Sequence, residues 1–166
     1  MTTDIIIKHP TTADVQACSL VEQACFPPEE AASLQSIQTR IASFSQGFLV
    51  AESDGRIIGQ VNSGATNKDD ITDEAFKQLV GHDPAGKNMV IFSLSVLPEY
   101  QKSGVASRLL REFLDLARAQ EREAVLLLCK SNLVRFYERF GFVSRGLSAC
   151  THGGAQWLEM CCPVGG

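Results

Sequence analysis

The chain has 166 residues, 45% of them apolar and 20% charged, with a net charge of −4 at neutral pH. That length suits one compact domain over residues 4–163, and that composition excludes disordered, fibrous and collagen-like chains. A mildly acidic chain without a Lys/Arg run carries no electrostatic footprint for nucleic acid, and no stretch reaches the ~20 apolar residues of a membrane-spanning helix.

The start, Met1-Thr2-Thr3-Asp4, lacks the basic and apolar pattern of an export signal, so a cytoplasmic location is the default expectation. The six cysteines are Cys18, Cys25, Cys129, Cys150, Cys161 and Cys162. A chain of this size builds a core without disulfides, and Cys161 and Cys162 are adjacent, so the thiols are read as reduced and mostly core-filling. His9, His82 and His152 stand apart and no Cys-x-x-Cys occurs, so no metal site is expected.

The first element is a β-branched strand over Asp4–His9. Thr11 or Thr12 caps a helix through Val15, Cys18, Leu20, Val21 and Ala24, which Cys25-Phe26-Pro27-Pro28 stops. Glu29–Ser45 reads as a second helix with Leu34, Ile37 and Ile41 on one stripe. Gly47–Glu52 and Arg56–Gly64 are strands joined by Ser53-Asp54-Gly55, a strong hairpin signal. Ala65–Lys87 is polar and reads as a mobile surface insertion with a short helix near Asp73–Val80.

Asn88–Leu97 is a strand in which Val90, Phe92, Leu94 and Val96 alternate with Met89, Ile91, Ser93 and Ser95. Gly104–Gln120 is a long helix with Val105, Leu109, Phe113 and Leu116 on one face. Ala124–Cys129 is an unbroken apolar run, as an interior strand requires. Asn132–Phe140 is a short helix ended by Gly141, and Phe142–Leu147 pairs with Ala155–Cys162. The order β-α-α-β-β-β-α-β-α-β-β implies a mixed α/β domain with helices on both faces of one sheet.

The chemistry concentrates where a strand runs out at Val96 and Gln101-Lys102-Ser103-Gly104-Val105-Ala106 opens the long helix. The first helical turn leaves backbone N–H groups without partners, and the helix dipole adds positive charge there. Gly104 lets the backbone approach an anion closely, and Lys102 adds a full charge. The loop lacks the second glycine and Lys-Ser/Thr pair of a Walker loop, and the chain lacks a dinucleotide Gly-x-Gly-x-x-Gly. A single turn glycine before an ordinary helix is the plainer reading of the loop alone.

Gln/Arg-x-x-Gly-x-Gly/Ala between a fourth strand and a long helix resembles the coenzyme A loop of the GCN5-related N-acetyltransferase (GNAT) superfamily. Asn132-Leu133-Val134-Arg135-Phe136-Tyr137-Glu138-Arg139-Phe140-Gly141-Phe142 resembles its second signature. The resemblance implies a mostly antiparallel sheet of about seven strands, splayed between the fourth and fifth. It also implies acetyl-CoA as co-substrate and no metal. Leu94, Ser95 and Val96 would lie along the pantetheine arm, with a backbone N–H of Leu94 or Val96 polarising the thioester. Gln101 to Ser107 would hold the pyrophosphate. Asn132 would bind pantetheine or cap its helix, and Tyr137 would protonate the departing thiolate.

The segments Phe136–Phe142, Trp157-Leu158-Glu159-Met160 and Ala24–Ser33 look like the arylalkylamine (serotonin-type) branch, in its non-vertebrate or microbial form. A small primary amine, arylalkylamine or polyamine, is the implied acceptor, attacked directly in a ternary complex by a monomer or homodimer. A protein N-acetyltransferase and a silent acyl-CoA-binding module are the alternatives. Phe26, Pro27, Glu30, Phe92 and Ser93 are the candidate acceptor-side residues. The vertebrate branch uses two histidines on the fourth strand, and Val90 and Phe92 stand at those positions, so Glu30 becomes the candidate base. The alternative reading makes either glutamate a solvated first-turn carboxylate complementing a helix dipole. Ser93 and Ser95 orient a water or merely interrupt an apolar face. Cys129 reads as buried, His82 as solvent-exposed and Trp157 as core.

Overall fold

A computed structural model describes residues 4–71, 74–150 and 152–165. The elements follow as β1 (Ile5–Lys8), α1 (Val15–Cys25), α2 (Leu34–Phe44), β2 (Leu49–Ser53), β3 (Arg56–Thr66), β4 (Asn88–Val96), α3 (Val105–Ala119), β5 (Ala124–Cys129), α4 (Val134–Glu138), β6 (Val143–Leu147) and β7 (Leu158–Pro163). This is the expected order. The sheet has seven strands in the order β1-β2-β3-β4-β5-β7-β6. β4 and β5 are parallel, whereas β1–β2, β2–β3, β5–β7 and β6–β7 are antiparallel. The parallel register runs from Asn88↔Ala124 to Ile91↔Leu127, so Phe92 to Val96 at the end of β4 lie beyond it.

Two compact units divide the chain: residues up to Ser63 with Ser93–Phe113, and Gly64–Phe92 with the chain from Leu114 onward. In the first, Asp54 and Gly55 turn β2 into β3 with φ of 50° and 78°, the left-handed pair that a type I′ hairpin demands. Thr11 and Asp14 form a capping box ahead of α1, the Thr11 N–H donating to Asp14 Oδ2 at 2.8 Å. Ile37, Phe44, Phe48, Ile58, Leu109 and Phe113 are fully buried here. A Cβ at Gly59 of β3 would meet Leu109 Cδ1, Ser95 O and Val96 Cγ2 at 3.1–3.2 Å, so glycine lets α3 close down on the strands.

Two expectations about α2 fail. It begins at Leu34, where Ser33 caps it by accepting the Ser36 N–H at 3.1 Å. Glu29 and Glu30 instead belong to a separate turn, in which the Pro27 carbonyl accepts the N–H groups of Glu30 and Ala31, both at 2.9 Å. Neither glutamate is a first-turn carboxylate of a helix. Leu34, expected on the buried stripe, is 46% exposed, while Ile37 and Ile41 are buried.

In the second unit β5 lies between β4 and β7, and Met89, Leu126, Leu127 and Met160 fill its interior. On α3, Leu114 and Ala117 are buried in place of the expected Leu116, which is half-buried. The polar segment between β3 and β4 is anchored, contrary to the surface-insertion reading. Ile71 and Phe76 bury against Val90 and Leu126, with Phe92 packed alongside. Asn88 Nδ2 donates to the Lys68 carbonyl at 2.8 Å. The expected helix is a 3-10 turn over Glu74–Gln78, and Asp73 lies outside the described residues. No helix among the described residues is long and apolar enough to cross a membrane.

His82 ties this segment to β3 and is half-buried, not solvent-exposed. Its Nδ1 accepts the Ala65 N–H at 2.9 Å, which requires an unprotonated nitrogen. Burial holds its pKa below the ordinary histidine value. A base whose folded pKa lies below its unfolded one stabilises the fold above the unfolded pKa and loses that contribution as pH falls through the folded value. The melting temperature is therefore expected to fall between pH 7 and pH 5, ahead of carboxylate titration. His82→Asn, which keeps an acceptor near the Nδ1 position, should flatten that fall; an unchanged pH slope would show that His82 does not cause it.

Candidate functional site

In the first unit, β4 ends at Val96 and a 3-10 turn over Pro98–Tyr100 carries the chain to Gln101. Lys102 and Gly104 both take left-handed backbone, with φ of 67° and 88°. Gln101 to Gly104 are exposed, Val105 is buried under the helix start, and Ala106 and Ser107 are half-buried. No atom lies within 4 Å of a Cβ placed on Gly104. α3 is fifteen residues long, so its first-turn N–H groups and full dipole face the loop. Ser103 Oγ donates to the Tyr100 carbonyl, holding the turn closed.

The Val96 carbonyl gathers this end of the unit. It accepts Gln101 Nε2 at 2.9 Å and the Cys25 thiol at 3.1 Å, so the loop, β4 and the end of α1 meet at one atom. Cys25 is followed by Phe26, the C-cap residue of α1 and half-buried, and by the exposed Pro27. Glu30 is half-buried in the turn beyond. Leu94 is half-buried and Ser95 buried on β4.

The buried acid of this unit is Glu22, which sequence reasoning did not single out. It is 3% exposed. Its Oε1 accepts the Ser93 hydroxyl at 2.7 Å and Gln60 Nε2 at 3.5 Å, and its Oε2 accepts the Ala32 N–H at 2.9 Å. Gln60 Nε2 also donates to the Cys18 carbonyl at 2.9 Å. Arg40, equally buried, donates from Nη1 to Asn62 Oδ1 at 3.0 Å. Burial lowers the Arg40 guanidinium to about 10, with Glu22 opposing the shift, and it stays cationic at neutral pH. Two signals were available. Glu22 falls on the Cys18–Val21–Cys25 stripe of α1, and Gln60 and Asn62 interrupt an apolar strand at period two.

Phe92, Asn132 and Tyr137 belong to the second unit. The Phe92 ring meets Phe76 edge-on at 5.4 Å. Asn132 is exposed inside a 3-10 turn over Ser131–Leu133. The N-cap residues there are Lys130 and Leu133, so Asn132 caps neither turn, against one of its two expected roles. Tyr137 is buried, edge-on to Phe136 and Phe142 at 5.1 and 5.6 Å. Burial first, and Cys129 second, raise its phenol well above the ordinary tyrosine value. Trp157 is half-buried; its Nε1 donates to the His152 carbonyl at 2.9 Å and Lys130 Nζ lies 5.7 Å over its ring.

The model of the acetyltransferase (GNAT) family matches residues 15–142. A serotonin N-acetyltransferase of Mesocricetus auratus is 32% identical over 113 residues, 67% of this chain and 53% of that protein. An uncharacterized N-acetyltransferase of Bacillus subtilis, YkwB, is 26% identical over 133 residues, 74% of this chain and 59% of that one. The chain spans between a quarter and about three fifths of the curated relatives it matches. Among solved structures, a GNAT-like decarboxylase, GphF, in complex with isobutyryl-CoA shares the fold. Its TM-score is 0.85 at 18% identity, over 96% of this chain and 99% of that one.

All six cysteines are free. Burial pushes Cys129 up to about 11 and Cys18 up to about 12, so neither offers thiolate near neutral pH and neither suits an acyl-carrying role. Cys150 and Cys161 are half-buried. Iodoacetamide at pH 8 is therefore expected to label Cys150 and Cys161 well before Cys18 and Cys129 in peptide mass spectra. Early labelling of Cys129 would contradict its burial and reopen a covalent route.

Proposed function

Because this chain belongs to the acetyltransferase (GNAT) family, an acyltransferase family, we propose that it moves an acetyl group from acetyl-CoA to a small primary amine, an arylalkylamine or polyamine. Residues 4–163 carry the reaction as one domain. The observation that supports this most is the left-handed backbone of Lys102 and Gly104 ahead of a fifteen-residue helix. It leaves N–H groups, a lysine and open space for a pyrophosphate. Likeness to a serotonin N-acetyltransferase favours an arylalkylamine over a peptide acceptor.

Gln101 to Ser107 bind the pyrophosphate, and Leu94, Ser95 and Val96 take the pantetheine arm, with Asn132 as a further polar contact. A backbone N–H of Leu94 or Val96 on β4 donates to the thioester oxygen, and the Val96 carbonyl, held by Gln101 and Cys25, keeps that strand end in place. Phe26, Pro27, Phe92 and Ser93 serve the acceptor side, and Glu30 offers a carboxylate to a cationic amine. Attack is direct: the C–N bond forms, the C–S bond breaks, and the thiolate leaves with a proton from Tyr137. A phenol raised by burial holds that proton throughout the neutral range and releases it only as charge develops on sulfur.

A thiol-release assay with acetyl-CoA and tryptamine, phenethylamine, spermidine and a lysine peptide tests the reading. Turnover of the first three over the peptide is expected. Tyr137→Phe should lower kcat on the order of 10²-fold with CoA affinity retained. Gly104→Glu should abolish CoA binding while melting only a few degrees lower, since left-handed backbone costs a non-glycine residue roughly 1–2 kcal/mol. CoA binding without turnover of any amine would replace the transferase reading with an acyl-CoA-binding module.

A further inference from the structure

The interior of the first unit holds a polar row that core packing does not call for. Gln60 and Asn62 share one face of β3, and Ser93 and Ser95 share one face of β4. All four are at most 5% exposed. Gln60 Nε2 and Ser93 Oγ reach the same oxygen of Glu22, so the two faces border one polar interior. Within it Gln60 Oε1, Asn62 Nδ2 and Ser95 Oγ have no protein partner among the described residues. Buried polar atoms are paired, and a structural staple between helices and strands would pair its own. Two acceptors and a donor left over are the requirements of an internal water.

Resting on the acetyl-transfer reading, we infer that Glu22 is the terminal acceptor of the substrate amine's proton, reached through the Ser93 hydroxyl and water held by Ser95, Gln60 and Asn62. The ammonium gives its proton to that water, the water gives one to Ser93 Oγ, and the Ser93 hydroxyl proton passes to Glu22 Oε1 along the existing 2.7 Å bond. The neutral amine then attacks the thioester carbon, and the second proton it sheds on becoming an amide restores the phenol proton that Tyr137 gives to the departing sulfur. After the C–S bond breaks, the proton on Glu22 returns by the same path to solvent. The overall change is ammonium plus thioester to amide, thiol and one proton. No covalent bond to the protein forms.

Glu22 suits this because all its partners on α1, β3, β4 and the turn before α2 are donors: Ser93, Gln60 and the Ala32 N–H. Among the charged and titratable groups that Glu22 acts on are Arg40 of α2, a cation, and the Cys25 thiol of its own helix, which burial raises. Glu22 acts through Ser93, so it is a positioning residue in the relay, and its signature is a pH profile. Glu30, in contrast, is half-buried in the turn after α1, eight residues beyond Glu22.

The experiment is the pH–rate profile of kcat at saturating acetyl-CoA and amine. Profiles are taken for the wild type, Glu22→Gln, Ser93→Ala, the double variant and Glu30→Gln, each with a melting curve and CoA affinity. Glu22→Gln is expected to lower kcat on the order of 10²- to 10⁴-fold and to remove the acid limb. Ser93→Ala, which deletes one hydroxyl and leaves Glu22 its other donors, should do the same in smaller measure and stands in if Glu22→Gln does not fold. The double variant should be no slower than the worse single one, as members of one relay behave. Retention of the wild-type acid limb by Ser93→Ala, or its loss in Glu30→Gln alone, would overturn the inference while leaving the transferase intact. A wild type that turns over no amine would overturn both.

Discussion

A carboxylate in the interior of a domain must be met by donors, and the way Glu22 is met shapes the first unit. Leaving such a group unpaired costs several kcal/mol. Its three donors come from a strand residue 71 positions away, from β3, and from the backbone of Ala32. Claiming the Ala32 N–H turns the chain after α1 into a bend held by Pro27, and α2 must wait for the Ser33 cap. One turn beyond Glu22, Cys25 reaches the Val96 carbonyl, which Gln101 shares. The same helix face thus carries a carboxyl group into the interior and steadies the strand end from which the Gln101–Ala106 loop departs.

The second unit solves a different problem. Its parallel β4–β5 pair needs apolar cover, which Ile71 and Phe76 help supply from a segment that is otherwise polar. Tyr137 is held among Phe136, Phe142 and Cys129, an environment that keeps a phenol neutral. The two buried groups have opposite surroundings, a carboxyl group met by donors in the first unit and a phenol beside aromatic rings in the second.

What could be read from the sequence was whatever is decided locally. Asp54-Gly55 demanded left-handed backbone and took it; the apolar run of β5 announced an interior strand; the loop at Gln101–Ala106 lies between the strand and helix assigned to it. Errors fell where tertiary partners decide. The periodic pattern of Glu29–Ser45 gave no hint that a distant carboxylate would claim Ala32. Ile71 and Phe76 are too widely spaced to show a period, so their segment read as loose. Asn132 reads as a cap by type, yet the chain enters α4 through a 3-10 turn. A glutamate on a helix is usually solvated, and the signals that Glu22 is not are its place on a cysteine–valine stripe and the polar Gln60 and Asn62 in an apolar strand.

Lys102 carries a consequence of its own. A lysine at φ 67° is held where an unconstrained chain seldom goes, at a cost on the order of 1–2 kcal/mol. That conformational work is done during folding, before any anion arrives. Association then freezes little additional backbone freedom, and the ordering cost that weakens binding by flexible loops is reduced. The protein is slightly less stable for it, and the pyrophosphate contact proposed for this loop would start from backbone that is already set.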